Sequence, residues 1–225
     1  MIIVVLTPND DGKSQINLDP LKSDSVDFTI VGMPLGVSDA EDTLNRAGGL
    51  FVTGDGGNAG SASPNWLPKD LEVVRKALKL DMPVLATGYG MFLLNQAFGG
   101  KPPVPLTDHG SDNRGNGEKS ASHSIYLSPG SKSAATLGLG GFFKVNSRHT
   151  EGLFDLQRAP RLLASAYSVE DGVVEGLESP EHSWVIGFQA NLERQAESPR
   201  AFNSVFLAFF ERAEDFSKSR SVARV

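Results

Sequence analysis

The chain has 225 residues, 40% of them apolar and 21% charged, and it contains no cysteine. That length suits one α/β domain with a core of useful size, and the absence of cysteine excludes disulfides, thiolate-held zinc and a thiol nucleophile. The formal net charge of −6 argues against a general affinity for nucleic acid or anionic membranes.

The opening run Met1–Thr7 has no basic flank and is too short for a signal peptide or a membrane span, so it reads as a buried first strand of a cytoplasmic protein. Further strands are expected at Phe28–Val31, Leu50–Thr53 and Pro83–Thr87. The polar segment Asn9–Asp27 leaves room for a truncated first helix or a loop. Leu71, Val74, Ala77 and Leu78 recur at helical spacing after Pro68, and a second helix runs from Gly90 to Phe98, ending at Gly99-Gly100. Lys101–Ser122, rich in Pro, Gly, Asn, Asp and Ser, reads as a long surface loop. Short strands follow at Ser124–Leu127, Phe142–Val145, Leu162–Tyr167, Val173–Leu177 and Trp184–Gln189, with Asp171-Gly172 as a hairpin signal. The final helix carries Phe202, Val205, Phe206, Phe209 and Ala213 on one face as a core stripe. Alternating strands and helices predict a three-layer α/β fold, a mostly parallel central sheet with helices on both faces. One domain over 1–215 and a frayed basic tail over 216–225 are expected.

The most informative stretch is Pro83-Val84-Leu85-Ala86-Thr87-Gly88-Tyr89-Gly90-Met91-Phe92-Leu93-Leu94-Asn95. A buried strand turns at once into a helix, with small residues at Ala86, Gly88 and Gly90, which is the geometry of a nucleophile elbow. These residues resemble the elbow of class I glutamine amidotransferases, especially the γ-glutamyl hydrolase (peptidase C26) branch. The resemblance implies that family's flavodoxin-like core. Pro83, Val84, Leu85, Gly90, Met91, Leu93, Leu94, Asn95, Gly99 and Gly100 match, and in that register the catalytic Cys falls on Gly88 and the following Arg on Tyr89. Glycine has no side chain with which to attack an amide, and it fits a strained elbow at the least steric cost.

Trp184–Glu193 resembles the same family's Gly-Val-Gln-Phe/Trp-His-Pro-Glu signature through Gly187, Gln189 and Glu193. The general-base His falls on Asn191 and the following Pro on Leu192, while the orienting acid is retained as Glu193. Asn cannot take a proton at neutral pH, so Glu193 has no base to orient and is expected to serve in structural hydrogen bonds. Loss of the nucleophile alone costs on the order of 10⁶ in rate in comparable triads. Val145–Thr150, Ala166-Tyr167-Ser168 and Asp171–Glu175 also match the branch, with Arg148 and Thr150 as departures. The oxyanion-hole pair falls on Gly54-Asp55. Asp55 there either opposes a developing oxyanion or turns outward and bonds locally.

Of the four histidines, His109, His123, His149 and His182, no two have helical metal-ligand spacing, and neither a metal nor a cofactor is expected. Asp108-His109 reads as a solvated loop pair and His123 as a structural residue just before a strand. His149 reads equally as a structural residue or, by resemblance, as part of a substrate pocket. The expectation is a non-catalytic member of this fold with a binding, regulatory or scaffold role, an unidentified protein partner and no nucleic acid. Two alternatives are a sensor of an amino acid or γ-glutamyl compound, with a pocket near Gly54, Asp55, Gly88, Tyr89, Ser147, Arg148 and His149, and a hydrolase with a different nucleophile. An ammonia-supplying amidotransferase subunit is contradicted by the missing triad.

Overall fold

A computed structural model of the chain describes residues 1–7, 29–33, 37–54, 68–107, 109 and 120–222. The elements are β1 (Ile2–Leu6), β2 (Thr29–Met33), α1 (Val37–Arg46), β3 (Ala47–Gly54), α2 (Pro68–Lys79), β4 (Val84–Gly88), α3 (Gly90–Ala97), β5 (Val104–Pro105) and β6 (Ala121–Leu127). They continue as α4 (Lys132–Leu137), β7 (Gly141–Ser147), β8 (Glu151–Gly152), β9 (Leu163–Ser168), β10 (Val174–Glu178), β11 (Val185–Phe188) and α5 (Asn203–Val222).

Nine strands form one sheet in the order β2-β1-β3-β4-β11-β10-β9-β6-β7, and β5 pairs with β8 in a small second sheet. The expected parallel core spans β2 to β11, and the strands from β10 to β7 extend it in antiparallel pairing. Both faces are buried, so strand residues alternate between two apolar layers. Val4, Leu6, Leu50, Val52, Val84 and Ala86 meet α2 and α3 residues such as Val74, Met91 and Leu94. Ile3, Val5, Phe51, Leu85, Ile186 and Phe188 face the α5 stripe of Val205, Phe206, Phe209 and Ala213. Each aromatic of that stripe contributes roughly 1.5–3 kcal/mol by leaving water. This is the three-layer α/β arrangement that the alternating pattern predicts.

Two expectations change. The tail is not frayed from residue 216: α5 continues to Val222. Phe216 packs against the core, Arg220 lies over its ring at 5.4 Å, and Lys218 pairs with Glu214 one turn earlier at 2.9 Å. The segment Lys101–Ser122 is not loop throughout, because Val104–Pro105 pairs with Glu151–Gly152 and β6 already starts at Ala121. The Asn9–Asp27 segment lies outside the described residues. Among the described residues no helix is long and apolar enough to cross a membrane.

Candidate functional site

The parallel strands β3, β4 and β11 end at one edge of the sheet, and that edge carries the elbow. Gly88 closes β4 with φ +55°, a left-handed conformation that a side chain adopts only under strain. A Cβ added there would lie 2.5 Å from the Gly54 carbonyl oxygen and 2.5 Å from Asn191 Nδ2. The Tyr89 N–H donates to that same Gly54 carbonyl at 2.9 Å, which holds the end of β3 against the turn.

The second-half signature arrives at the same place. Asn191 Nδ2 donates to Glu193 Oε1 at 3.2 Å, and Thr53 Oγ1 donates to the same oxygen at 2.8 Å. Asn146 Nδ2 donates to the Asn191 carbonyl at 2.9 Å, and the Asn191 N–H returns a bond to Asn146 Oδ1 at 2.8 Å. The fold therefore gathers Gly88, Asn191 and Glu193 from two distant parts of the chain. Thr53 and Asn146, which the sequence reading did not single out, hold them in position. Three buried groups here have polar atoms without hydrogen-bond partners among the described residues: Thr87 Oγ1, both amide atoms of Gln189, and Glu193 Oε2.

The other expected pocket residues disperse. Tyr89 is buried in the hydrophobic core with its ring 5.6 Å from Phe92, because the aromatic at this position packs inward. Ser147, Arg148 and His149 are buried at the end of β7. Arg148 reaches Ser120 Oγ at 3.4 Å, and Ser120 in turn bonds Glu197. Asp55 lies outside the described residues.

His149 instead joins a second constellation at the same edge. Because β10 runs antiparallel to β11, β10 begins where β11 ends, and the Gln189 N–H donates to the Glu175 carbonyl at 2.9 Å. Around the Glu175 carboxylate stand His109 Nε2 at 3.3 Å, His123 Nε2 at 3.4 Å and His149 Nε2 at 3.7 Å. All four residues are buried. His109 is therefore no solvated loop residue: its Nδ1 meets Asp171 Oδ2 at 2.7 Å. Asp108 lies outside the described residues. His123 sits within β6 rather than before it.

Burial drives the His149 pKa down to about 4, outweighing the opposing pull of Glu175, so the ring is neutral at pH 7. Burial also opposes charge on His109, but the Glu175 and Asp171 carboxylates prevail and its pKa is raised. Glu175 is itself desolvated, which alone would raise its pKa, yet the histidines hold it well below the usual carboxylate range. Local spacing could not disclose this group, since its members come from a loop, β6, the residues after β7 and β10. His182, the remaining histidine, stands apart and contacts Ser179 Oγ at 2.8 Å.

The family model described as Peptidase C26 matches residues 60–191, more than half of the chain. The chain belongs to the Peptidase C26 family. No curated protein matches the sequence. Among solved structures, the fold is similar to the Trypanosoma brucei CTPS glutaminase domain with bound acivicin, at TM-score 0.70 and 14% identity over 96% of this chain and 94% of that one. It is also similar to a Thermoplasma acidophilum protein named as a subunit of GMP synthase, at TM-score 0.66 and 16% identity over 98% of each chain. A glutamine amidotransferase from Methylobacillus flagellatus follows at TM-score 0.57 and 14% identity, over 96% and 92%. The glutamine amidotransferase-like fold expected from the elbow is thus the fold observed.

Asn95 shows why this C26 chain retains framework residues of the elbow motif. Its Nδ2 donates to the Lys101 and Gln157 carbonyls, both at 3.0 Å, and its Oδ1 accepts from the Ala159 N–H at 2.8 Å. A Cβ at Gly100 would meet this amide at 2.3 Å. The pair clamps the exit of α3 and so fixes the helix that starts at the elbow.

Proposed function

We propose that this C26 protein does not hydrolyse glutamine or γ-glutamyl amides and serves instead as a binding, regulatory or scaffold protein of the cytoplasm. The observation that carries this reading is Gly88 at the elbow apex, with the Asn191 amide in the place of the base. Amide hydrolysis on this scaffold needs a nucleophile at the apex and a neighbour that takes its proton and returns it to the leaving group. Gly88 supplies neither sulfur nor oxygen, and the Asn191 amide is no base at neutral pH. Glu193 accepts hydrogen bonds from Thr53 and Asn191, which gives the retained acid a structural use. The net charge of −6 supports a role without nucleic acid.

A neighbour named as a subunit of GMP synthase supports a role beside a second protein. The test is twofold. Purified protein incubated with glutamine and γ-glutamyl amides is expected to release no glutamate above the blank. Affinity purification from the native source is expected to return a stoichiometric partner. Glutamate release that follows the protein through successive columns overturns the non-catalytic reading, and a lone monomer overturns the scaffold reading.

A second reading, a sensor of an amino acid or γ-glutamyl compound, draws support from the unpartnered Thr87 hydroxyl and Gln189 amide beside the elbow. Buried polar atoms of this kind are ordinarily satisfied by protein, water or ligand. A saturating small amide that stabilises the folded state raises the melting temperature by mass action. No shift with glutamine, glutamate or γ-glutamyl amides removes this reading.

A further inference from the structure

The histidine cluster concentrates unmatched polar atoms around one buried carboxylate. His149 Nδ1 lies 2.8 Å from the Glu151 carbonyl oxygen. A carbonyl only accepts, so Nδ1 carries the proton and the neutral ring turns a bare lone pair on Nε2 toward the Glu175 carboxylate. Two acceptors facing one another at 3.7 Å repel unless a cation lies between them. His109 Nε2, both nitrogens of His123, His149 Nε2 and both oxygens of Glu175 are buried without a hydrogen-bond partner among the described residues. A buried carboxylate left in that state costs several kcal/mol, and native interiors seldom leave even one such atom unmatched.

One ion at the centre would match one atom of each of the four residues. One donor atom from each of the four residues lies within 4.8 Å of the others. Ligand bonds of about 2.0–2.1 Å in tetrahedral array put neighbouring donors roughly 3.3–3.4 Å apart. Glu175 Oε1 stands 3.3 Å from His109 Nε2 and 3.7 Å from His149 Nε2, and its Oε2 stands 3.4 Å from His123 Nε2, so small shifts would close the set on an ion. The outer atoms are already oriented. His109 Nδ1 faces Asp171 and His149 Nδ1 the Glu151 carbonyl, the carboxylate and carbonyl supports that direct Nε2 of a ligating imidazole inward. Three imidazoles and one carboxylate suit a divalent first-row transition ion better than Ca²⁺ or Mg²⁺, which prefer all-oxygen shells.

We propose that His109, His123, His149 and Glu175 form a binding site for a divalent transition-metal ion of the Zn²⁺ class. Four buried protein ligands make it a closed, structural site, tying the segment that carries His109 to β6, the β7–β8 turn and the start of β10. This inference does not depend on the fate of the elbow.

The test uses full-length protein freed of any histidine tag, stripped with a chelator and checked by circular dichroism. Equilibrium dialysis against Zn²⁺ followed by elemental analysis is expected to return one ion per chain. Co²⁺ is expected to give the intense visible absorption of a site of low coordination number, absent from aqueous Co²⁺. His123→Gln and Glu175→Gln are each expected to abolish stoichiometric binding. Asp171→Asn is expected to weaken binding by about 10–100-fold through loss of ring orientation, and His182→Gln to leave it unchanged. Folded wild-type protein that takes up well under one Zn²⁺ per chain and shows no Co²⁺ band overturns the proposal. So does undiminished binding in folded His123→Gln or Glu175→Gln. If those variants do not fold, the wild-type stoichiometry and Co²⁺ spectrum decide it.

Discussion

The elbow and the histidine cluster share one edge of one sheet, joined by the bond from the Gln189 N–H to the Glu175 carbonyl, and their polar groups are handled in opposite ways. At the elbow, the side chains beside Gly88 are tied to one another at most of their polar atoms, although Glu193 Oε2, Thr87 Oγ1 and the Gln189 amide have no partner among the described residues. Asn191 bonds Glu193, Thr53 bonds Glu193, and Asn146 grips the Asn191 backbone in both directions. At the cluster, the atoms that face inward satisfy nothing, while the atoms that face outward on His109 and His149 are held. A largely connected network leans less on a ligand than a convergent set of unmatched lone pairs does. The two regions should therefore respond differently to perturbation.

The largest effect is expected from metal removal. An ion that binds the folded state alone at a thousandfold excess over its dissociation constant adds roughly 4 kcal/mol. Chelation should then lower the melting temperature by on the order of 10 °C for a chain of this size, and Zn²⁺ should restore it. The same chelator should leave the melting temperature of Glu175→Gln unmoved, which separates loss of the ion from any general effect of the reagent.

Next comes Asn95→Ala. It leaves the buried Ala159 N–H and the Lys101 carbonyl without this amide, while the Gln157 carbonyl keeps the Lys101 N–H. A buried group orphaned in this way costs about 1–3 kcal/mol before relaxation, and the amide's packing is lost with it. With water admitted to part of the gap, a loss of about 3 kcal/mol in urea unfolding is expected. Fluorescence of Trp184, which packs on the opposite face in the α5 layer, should report the same transition midpoint as circular dichroism.

Gly88→Cys probes the elbow directly. The new side chain must accept φ +55° and relieve contacts with both the Gly54 carbonyl and the Asn191 amide, each 2.5 Å from its Cβ. Strain of this kind costs on the order of 1–3 kcal/mol. We expect a folded, destabilised protein without glutaminase activity, even when Asn191→His is added, because a Cβ at this position already crowds the Gly54 carbonyl and Tyr89, Asp55 and Leu192 also depart from the family pattern. Measurable glutamate release from the double variant would show that the elbow is less committed than its contacts indicate.

How much of this was legible in the sequence follows from the same contrast. The elbow was readable because its residues are contiguous. Pro83 to Asn95 contain a strand, a turn and a helix, and the glycine at position 88 can be read from residue type alone. Asn191 and Glu193 were readable through a second contiguous signature, and the fold brings both beside Gly88. The roles of Asn146 and Thr53 were hidden, since their partners lie 45 and 140 positions away. The cluster was hidden for the same reason: antiparallel strands interleave His123, His149 and Glu175 only after folding, and His109 lies in a stretch whose composition reads as loop. The end of α5 was misread because the basic residues of its last turns suggest solvation, although Phe216 anchors them.

The smallest effect separates a structural from a vestigial elbow. Asn191→Ala removes the bond from Nδ2 to Glu193 Oε1 at 3.2 Å but leaves both backbone bonds to Asn146. Among the described residues, Glu193 then keeps the Thr53 hydroxyl. One hydrogen bond to a charged acceptor in a partly buried site is worth about 1.5–3 kcal/mol at most, and Glu193 is near enough to solvent to recover part of it. A loss of about 1 kcal/mol in urea unfolding is expected. Glu193→Gln in the Asn191→Ala background should cost less still, because a neutral amide tolerates the missing donor better than a carboxylate does. If instead the double variant falls much further than the single, Glu193 is held by its charge rather than by these two bonds, and the elbow depends on its carboxylate as the cluster does.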